Sequence, residues 1–100
     1  MQIKYSETAF RDLEAIENFL LYKWNETVLM NFGVALENCI RTIIEGVVVF
    51  QKYEDTPYHK ILITRHNTLI YRIENDTLHI VRILQNFQNP DDNYESLTDE

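Results

Sequence analysis

Apolar side chains recur every three or four residues from Ala9 to Ile44, then gather into short β-branched runs between Ile61 and Leu84, with Gly46 between the two regimes. A chain that changes period once builds helices first and a sheet afterwards. The helices and the sheet must then share one core, which defines an α+β domain with the helices on one sheet face.

The helical half carries its own punctuation. "QIKY" alternates Ile3 and Tyr5 with polar residues and predicts a short N-terminal strand. Ser6 suits an N-cap and Glu7 suits the first turn, so a helix is expected over 7–23. Its inward stripe is Ala9, Leu13, Ile16, Leu20 and Trp24, widened by Phe10 and Phe19. Asn25 caps a second helix whose Val28, Leu29, Phe32, Leu36, Cys39, Ile40, Ile43 and Ile44 keep the period until Gly46 stops it. The linker is too short for anything but an antiparallel helical hairpin. Gly33, inside the second helix, is expected to admit a close neighbour.

Beyond Gly46, "VVVF" predicts a strand or a buried extended segment, and "QKYEDTPY" supplies turn signals. "HKILIT", "TLIYRIE" and "TLHIVRILQ" follow as three strands of a mainly antiparallel meander, the last two joined by Asn75-Asp76, a pair suited to a two-residue turn. Counting outward from that turn sets Tyr71 against Ile80, Arg72 against His79 and Leu69 against Arg82. One face then gathers Leu62, Thr64, Leu69, Tyr71, Ile73, Leu78, Ile80, Arg82 and Leu84, and is expected beneath the helices. The other gathers Ile61, Ile63, Arg65, Ile70, Arg72, His79, Val81 and Ile83, and is left for a partner.

The 100 residues fit a single domain over 1–90, followed by an acidic tail over 91–100. Net charge is -7, but the last ten residues hold five acids and no base, whereas 47–89 carry a net +1 and all three histidines. This balance argues against general nucleic-acid affinity. The single cysteine, Cys39, forms no internal disulfide and fits a cytoplasmic setting. No secretory leader pattern and no run of about 18 apolar residues is seen, so no membrane role is expected. Scattered histidines predict no metal site, and two isolated glycines allow no phosphate-binding loop, so no cofactor is expected.

Four residues can hold an anion: Arg65, Arg72 and His79 on the second face, with His66 at the neighbouring turn. They suit RNA phosphates or acidic side chains of a protein, although Arg72 and His79 also make sense as a solvated cross-strand pair. Arg82, placed among apolar neighbours, needs a carboxylate from the first helix, Asp12 or Glu14. Tyr71 is either a proton-transfer group or a core ring.

The whole chain from about residue 3 to 92 resembles the RelE/ParE toxin family, on its ParE-like, plasmid-stabilisation side. The resemblance rests on "YSETAFRDLEAIENFLLYKW", on Phe32, on "YHKILITRHNTLIYRI" and on "LHIVRILQNFQNP", in that order and spacing. It implies a small toxin neutralised by a cognate antitoxin that wraps it. Ribonuclease members, which cut ribosome-bound mRNA, share a basic and aromatic cluster. Where they carry lysines, an arginine and a further arginine, this chain has only Lys60, then Thr68, then Phe87. A phenylalanine cannot stabilise charge on a phosphate in the transition state. The resemblance therefore implies protein binding, with DNA gyrase the leading target and Arg65, Arg72, His79 and Phe87 the partner surface. The alternative is an endoribonuclease using Lys60, Arg65, His66 and Tyr71, and a third reading is a non-toxic antitoxin-binding module.

Overall fold

The computed structural model describes residues 1–46 and 52–86. The "VVVF" run, Phe87, the expected domain end at residue 90 and the acidic tail lie outside the described residues. The element order is β1 (Gln2–Tyr5), α1 (Glu7–Lys23), α2 (Glu26–Glu45), β2 (His59–Thr64), β3 (Asn67–Glu74) and β4 (Thr77–Gln85). The strands form one sheet in the order β1-β4-β3-β2. β1 lies parallel to β4, and the remaining pairs are antiparallel. The helices form a hairpin on one face, α1 against β4 and α2 against β2.

Each helix begins where its capping residue satisfies an otherwise orphaned amide. Ser6 Oγ accepts from the Ala9 amide at 2.9 Å, and Asn25 Oδ1 accepts from the Val28 amide at 2.9 Å. Gly46 ends α2 in the left-handed conformation, with φ 66°. Asn75 and Asp76 both take positive φ, 54° and 56°, as a hairpin turn matched to strand twist requires. α2 is long and apolar enough to cross a membrane by length and composition, and it packs one stripe, Phe32, Leu36, Cys39 and Ile43, into the core. Cys39 also donates its thiol hydrogen to the Leu62 carbonyl at 3.1 Å, tying α2 to β2.

The inward stripe of α1 is narrower than its sequence suggests. Ala9 and Ile16 are buried with Leu13 and Leu20 beside them, whereas Phe10, Phe19 and Trp24 are exposed. Ile44 of α2 is likewise exposed. Gly33 admits no close neighbour: a Cβ added there meets nothing within 4 Å.

The face assignment expected from the alternation is corrected by two β-bulges. Ile70 pairs with Arg82 while Tyr71 pairs with Ile80, so Val81 is an extra residue in β4. Every residue beyond it changes face. Arg82 therefore opposes Ile70 and not Leu69, Ile83 joins the helix-side core, and Leu84 faces away. A second irregularity lies between Leu62 and Thr64. It accompanies Ile61 and Ile63 facing the helices, while Leu62 is exposed. The helix-side core holds Leu69, Tyr71, Leu78, Ile80 and Ile83 of β3 and β4. Leu69, Leu78 and Ile80 are each completely buried, worth about 2 kcal/mol apiece by area.

Arg82 meets Asp12, but at the sheet edge rather than within the covered core. Its Nε donates to Asp12 Oδ2 at 2.7 Å and its Nη2 donates to Oδ1 at 3.1 Å. The same Oδ2 accepts from the Ile83 amide at 3.0 Å, on the stretch of β4 beyond the reach of β1. Both side chains are mostly buried. Replacing Asp12 with Ala removes the bidentate partner of a mostly buried guanidinium and the acceptor of the Ile83 amide together, and should cost about 3 kcal/mol. Thermal denaturation should show a drop of more than 10 °C, roughly, for a domain this size, and an unchanged melting temperature would contradict it. Conversely, Gly33→Ala should raise stability by about 0.5–1 kcal/mol in chemical denaturation, because the added methyl touches nothing and only restricts the unfolded chain. A loss of stability would mean that Gly33 does need its missing side chain.

Candidate functional site

The face turned away from the helices is drawn from all four strands of the sheet. Its apolar floor is Ile70, Val81 and Leu84, with Tyr53 packed on them and Tyr58 at their margin. Tyr53 reaches this position because residues 53–58 close a small turn, in which the Tyr53 amide donates to the Tyr58 carbonyl at 2.9 Å. The face expected to be bare is thus partly roofed by two tyrosines.

Beside that floor runs a row of cations. His79 on β4 has Arg72 of β3 as its direct partner on one side and Lys4 of β1 on the other. Residues paired in this way project to the same face, so Lys4, His79 and Arg72 span three strands, about 10 Å between the outer Cα atoms at ordinary strand spacing. Arg72 is also paired with Glu74 on its own strand. Tyr58, Pro57, Arg72, Ile73 and Glu74 outline a shallow cavity of about 530 Å³ at the end of the row.

The electrostatics of the row are legible at its centre. The His79 imidazole is held below its ordinary pKa, first by loss of solvent contact and then by the positive charges of Arg72 and Lys4. An anion laid across the row would relieve that repulsion. Lys4 is the member that reasoning from sequence missed. The alternation of Ile3 and Tyr5 does turn Lys4 to the opposite face, but only the parallel docking of β1 beside β4 brings it to His79.

The other expected site residues do not join this row. Arg65 and His66 form the β2–β3 turn, at the far end of β3 from Arg72 and about 20 Å away by strand rise. There Arg65 Nε lies 3.2 Å from His66 Nε2, and Asn86 fastens the turn by donating its side-chain amide to the Arg65 carbonyl at 2.7 Å and its backbone amide to the His66 carbonyl at 2.9 Å. Thr68 Oγ1 donates to Asn86 Oδ1 at 2.5 Å. Lys60, opposite Ile70, lies on the face away from the helices. Tyr71 lies on the helix side, 3% exposed, stacked on His59 at 5.6 Å. Burial pushes its phenol up to about 12. Lys60, Arg65, His66 and Tyr71 are therefore divided among two sheet faces and a turn, and Phe87 lies outside the described residues.

The architecture is shared with solved toxin structures. The chromosomal ParDE TA system from P. aeruginosa matches with a TM-score of 0.62 at 17% identity, covering 85% of this chain and 95% of that one. The YoeB-YefM complex from Staphylococcus aureus matches with a TM-score of 0.64 at 14% identity, covering 87% and 98%. The YoeB/ParE toxin from Agrobacterium tumefaciens matches with a TM-score of 0.62 at 14% identity, covering 87% and 100%. No protein-family model and no curated protein sequence matches the chain. At these identities the likeness establishes the fold, which is the RelE/ParE-like toxin fold.

The cationic row makes a prediction of definite sign. Because Lys4 disfavours the imidazolium, Lys4→Gln should raise the His79 titration midpoint, measured by NMR on the ring protons, and high salt should shrink the difference. A group with a depressed folded-state pKa contributes fully above pH 6.5 and loses that contribution as the pH falls through the depressed value. His79→Gln should accordingly flatten the fall in stability on the acid side of pH 6.5. Equal midpoints with and without Lys4 would show that the two side chains are not neighbours.

Proposed function

We propose that this chain is the toxin of a type II toxin–antitoxin module, ParE-like, acting in the cytoplasm by binding protein, with DNA gyrase as its leading target. A cognate antitoxin neutralises it by covering the sheet face that carries Lys4, Arg72 and His79; Arg65, at the β2–β3 turn, extends the partner surface, and Phe87, outside the described residues, is proposed as a further contact. The shared fold supports this reading, since two of the similar structures are the ParDE TA system and the YoeB-YefM complex. The observation that carries the choice of mechanism is the position of Tyr71. A phenol buried beneath the helices, with its pKa raised to about 12, is a poor proton carrier for phosphodiester cleavage. Lys60, Arg65 and His66 supply no substitute at one point. An apolar floor flanked by cations is instead suited to an acidic, partly apolar protein segment.

Expression of the chain alone in a bacterium tests the reading. The expected outcome is growth arrest with broken or relaxed DNA and intact messages, relieved by co-expressing the protein encoded beside it. Cleaved messages with intact DNA would overturn the mechanism in favour of a ribonuclease, and unimpaired growth with tight binding of the neighbour would leave only an antitoxin-binding module. Charge reversal of Arg72 and His79 to Glu should weaken antitoxin binding by on the order of 30-fold or more, as for central contacts at interfaces. Undiminished affinity would place the antitoxin on another surface.

A further inference from the structure

α2 carries two stripes, and one of them is covered. Phe32, Leu36, Cys39 and Ile43 go into the core. On the far side of the helix stand Met30, Val34, Glu37, Arg41 and Ile44, all exposed. The most apolar 18 residues of α2 are accordingly 22% buried, a low share for a helix of this composition. Gly33 lies beside the exposed stripe, and a Cβ added there meets nothing within 4 Å, so no neighbouring element closes over it.

The spacing of that stripe is four, three, four and three residues, which is the seam of a two-stranded coiled coil. Its ends are apolar and its middle holds one acid and one base. Glu37 and Arg41 stand four apart in the order that favours pairing along a helix, yet neither has an ion-pair partner among the described residues. The pattern is complementary to its own reverse. In two antiparallel copies with a two-fold axis at the level of Cys39, Val34 lies level with Ile44 of the second copy and Glu37 with its Arg41, and both pairings recur across the axis. Parallel copies would set Glu37 against Glu37 and Arg41 against Arg41. An antiparallel register displaced toward the N-terminus would set Glu37 against Val34 and Arg41 against Met30. The exposed stripe from Phe10 to Trp24 has no such solution, because Glu14 and Glu17 occupy its middle and two copies of it would repel.

We infer that two copies of this chain associate through α2, antiparallel about an axis at the level of Cys39, joined by two Glu37–Arg41 ion pairs with a Val34–Ile44 contact on either side. The seam from Met30 to Ile44 is about 21 Å long, so the contact is below standard interface size and the dimer is weak. This inference does not depend on the toxin reading, and it leaves the sheet face that carries Lys4, Arg72 and His79 free in both copies.

Sedimentation equilibrium of the full chain tests it, with circular dichroism to show that each variant is folded. The expected result is a monomer–dimer equilibrium with a dissociation constant on the order of 100 μM. Glu37→Arg brings four arginines together at the axis and should weaken association about tenfold, and Arg41→Glu should do the same with four glutamates. Combining the two changes in one chain restores opposite charges in the antiparallel arrangement and not in a parallel one, and should bring the constant back to within about threefold of the original. An equimolar mixture of the two single variants should likewise associate about as well as the unaltered chain. A chain that stays monomeric at about 1 mM, ten times that expected constant, would overturn the inference and leave the outer stripe of α2 to a different protein. A dimer indifferent to both single changes, or one that the combined change does not rescue, would overturn it by placing the contact elsewhere.

Discussion

The carboxylate of Asp12 is where three parts of the molecule are joined. β1 ends at Tyr5, after which Ser6 continues the contact with β4, its amide donating to the Ile80 carbonyl at 2.9 Å and its hydroxyl to the Val81 carbonyl at 2.8 Å. One and a half helical turns later, Asp12 takes up the Ile83 amide and the Arg82 guanidinium. The helix thus substitutes for a strand along the half of β4 that β1 does not reach. Without that carboxylate, the bulged strand would lose the partner of the Ile83 amide and the bidentate partner of a mostly buried cation at one place. The bulge at Val81 and the ion pair are one device, because the extra residue sets which side chains of β4 turn toward the helices.

That device also shapes the opposite face. With Val81 inserted, Val81 and Leu84 turn away from the helices and join Ile70 to make an apolar floor, while Ile83 goes into the core. Arg72 and His79 lie before the bulge, toward the turn, and remain paired. The free face therefore has an apolar part under Tyr53 and a cationic part reaching to Lys4.

Local features were legible in the sequence because their causes are local. Ser6, Asn25 and Gly46 cap the helices as their side chains and backbone freedom dictate, and Asn75-Asp76 fixes the hairpin so that Arg72 meets His79. The Asp12–Arg82 pairing followed from the cost of a lone cation. Its location did not, because nothing in the alternation of β2 or β4 marks the residues at which the register shifts, and each shift inverts the faces beyond it. Lys4 was missed for a different reason: the docking of a four-residue strand beside a partner more than seventy residues away is set by the packing of the whole sheet. Phe10, Phe19 and Trp24 satisfy a helical period yet face outward, since the sheet accommodates only the narrow stripe of Ala9, Leu13, Ile16 and Leu20.

The division of labour between the two sheet faces is tested most directly by hydrogen exchange, comparing the chain alone with the chain bound to the protein encoded beside it. Protection gained in the strand stretches around Lys4, Arg72 and His79, with the outer surfaces of α1 and α2 unchanged, is the pattern this structure predicts. Protection confined to the helical hairpin, with those strand stretches exchanging as before, would contradict it.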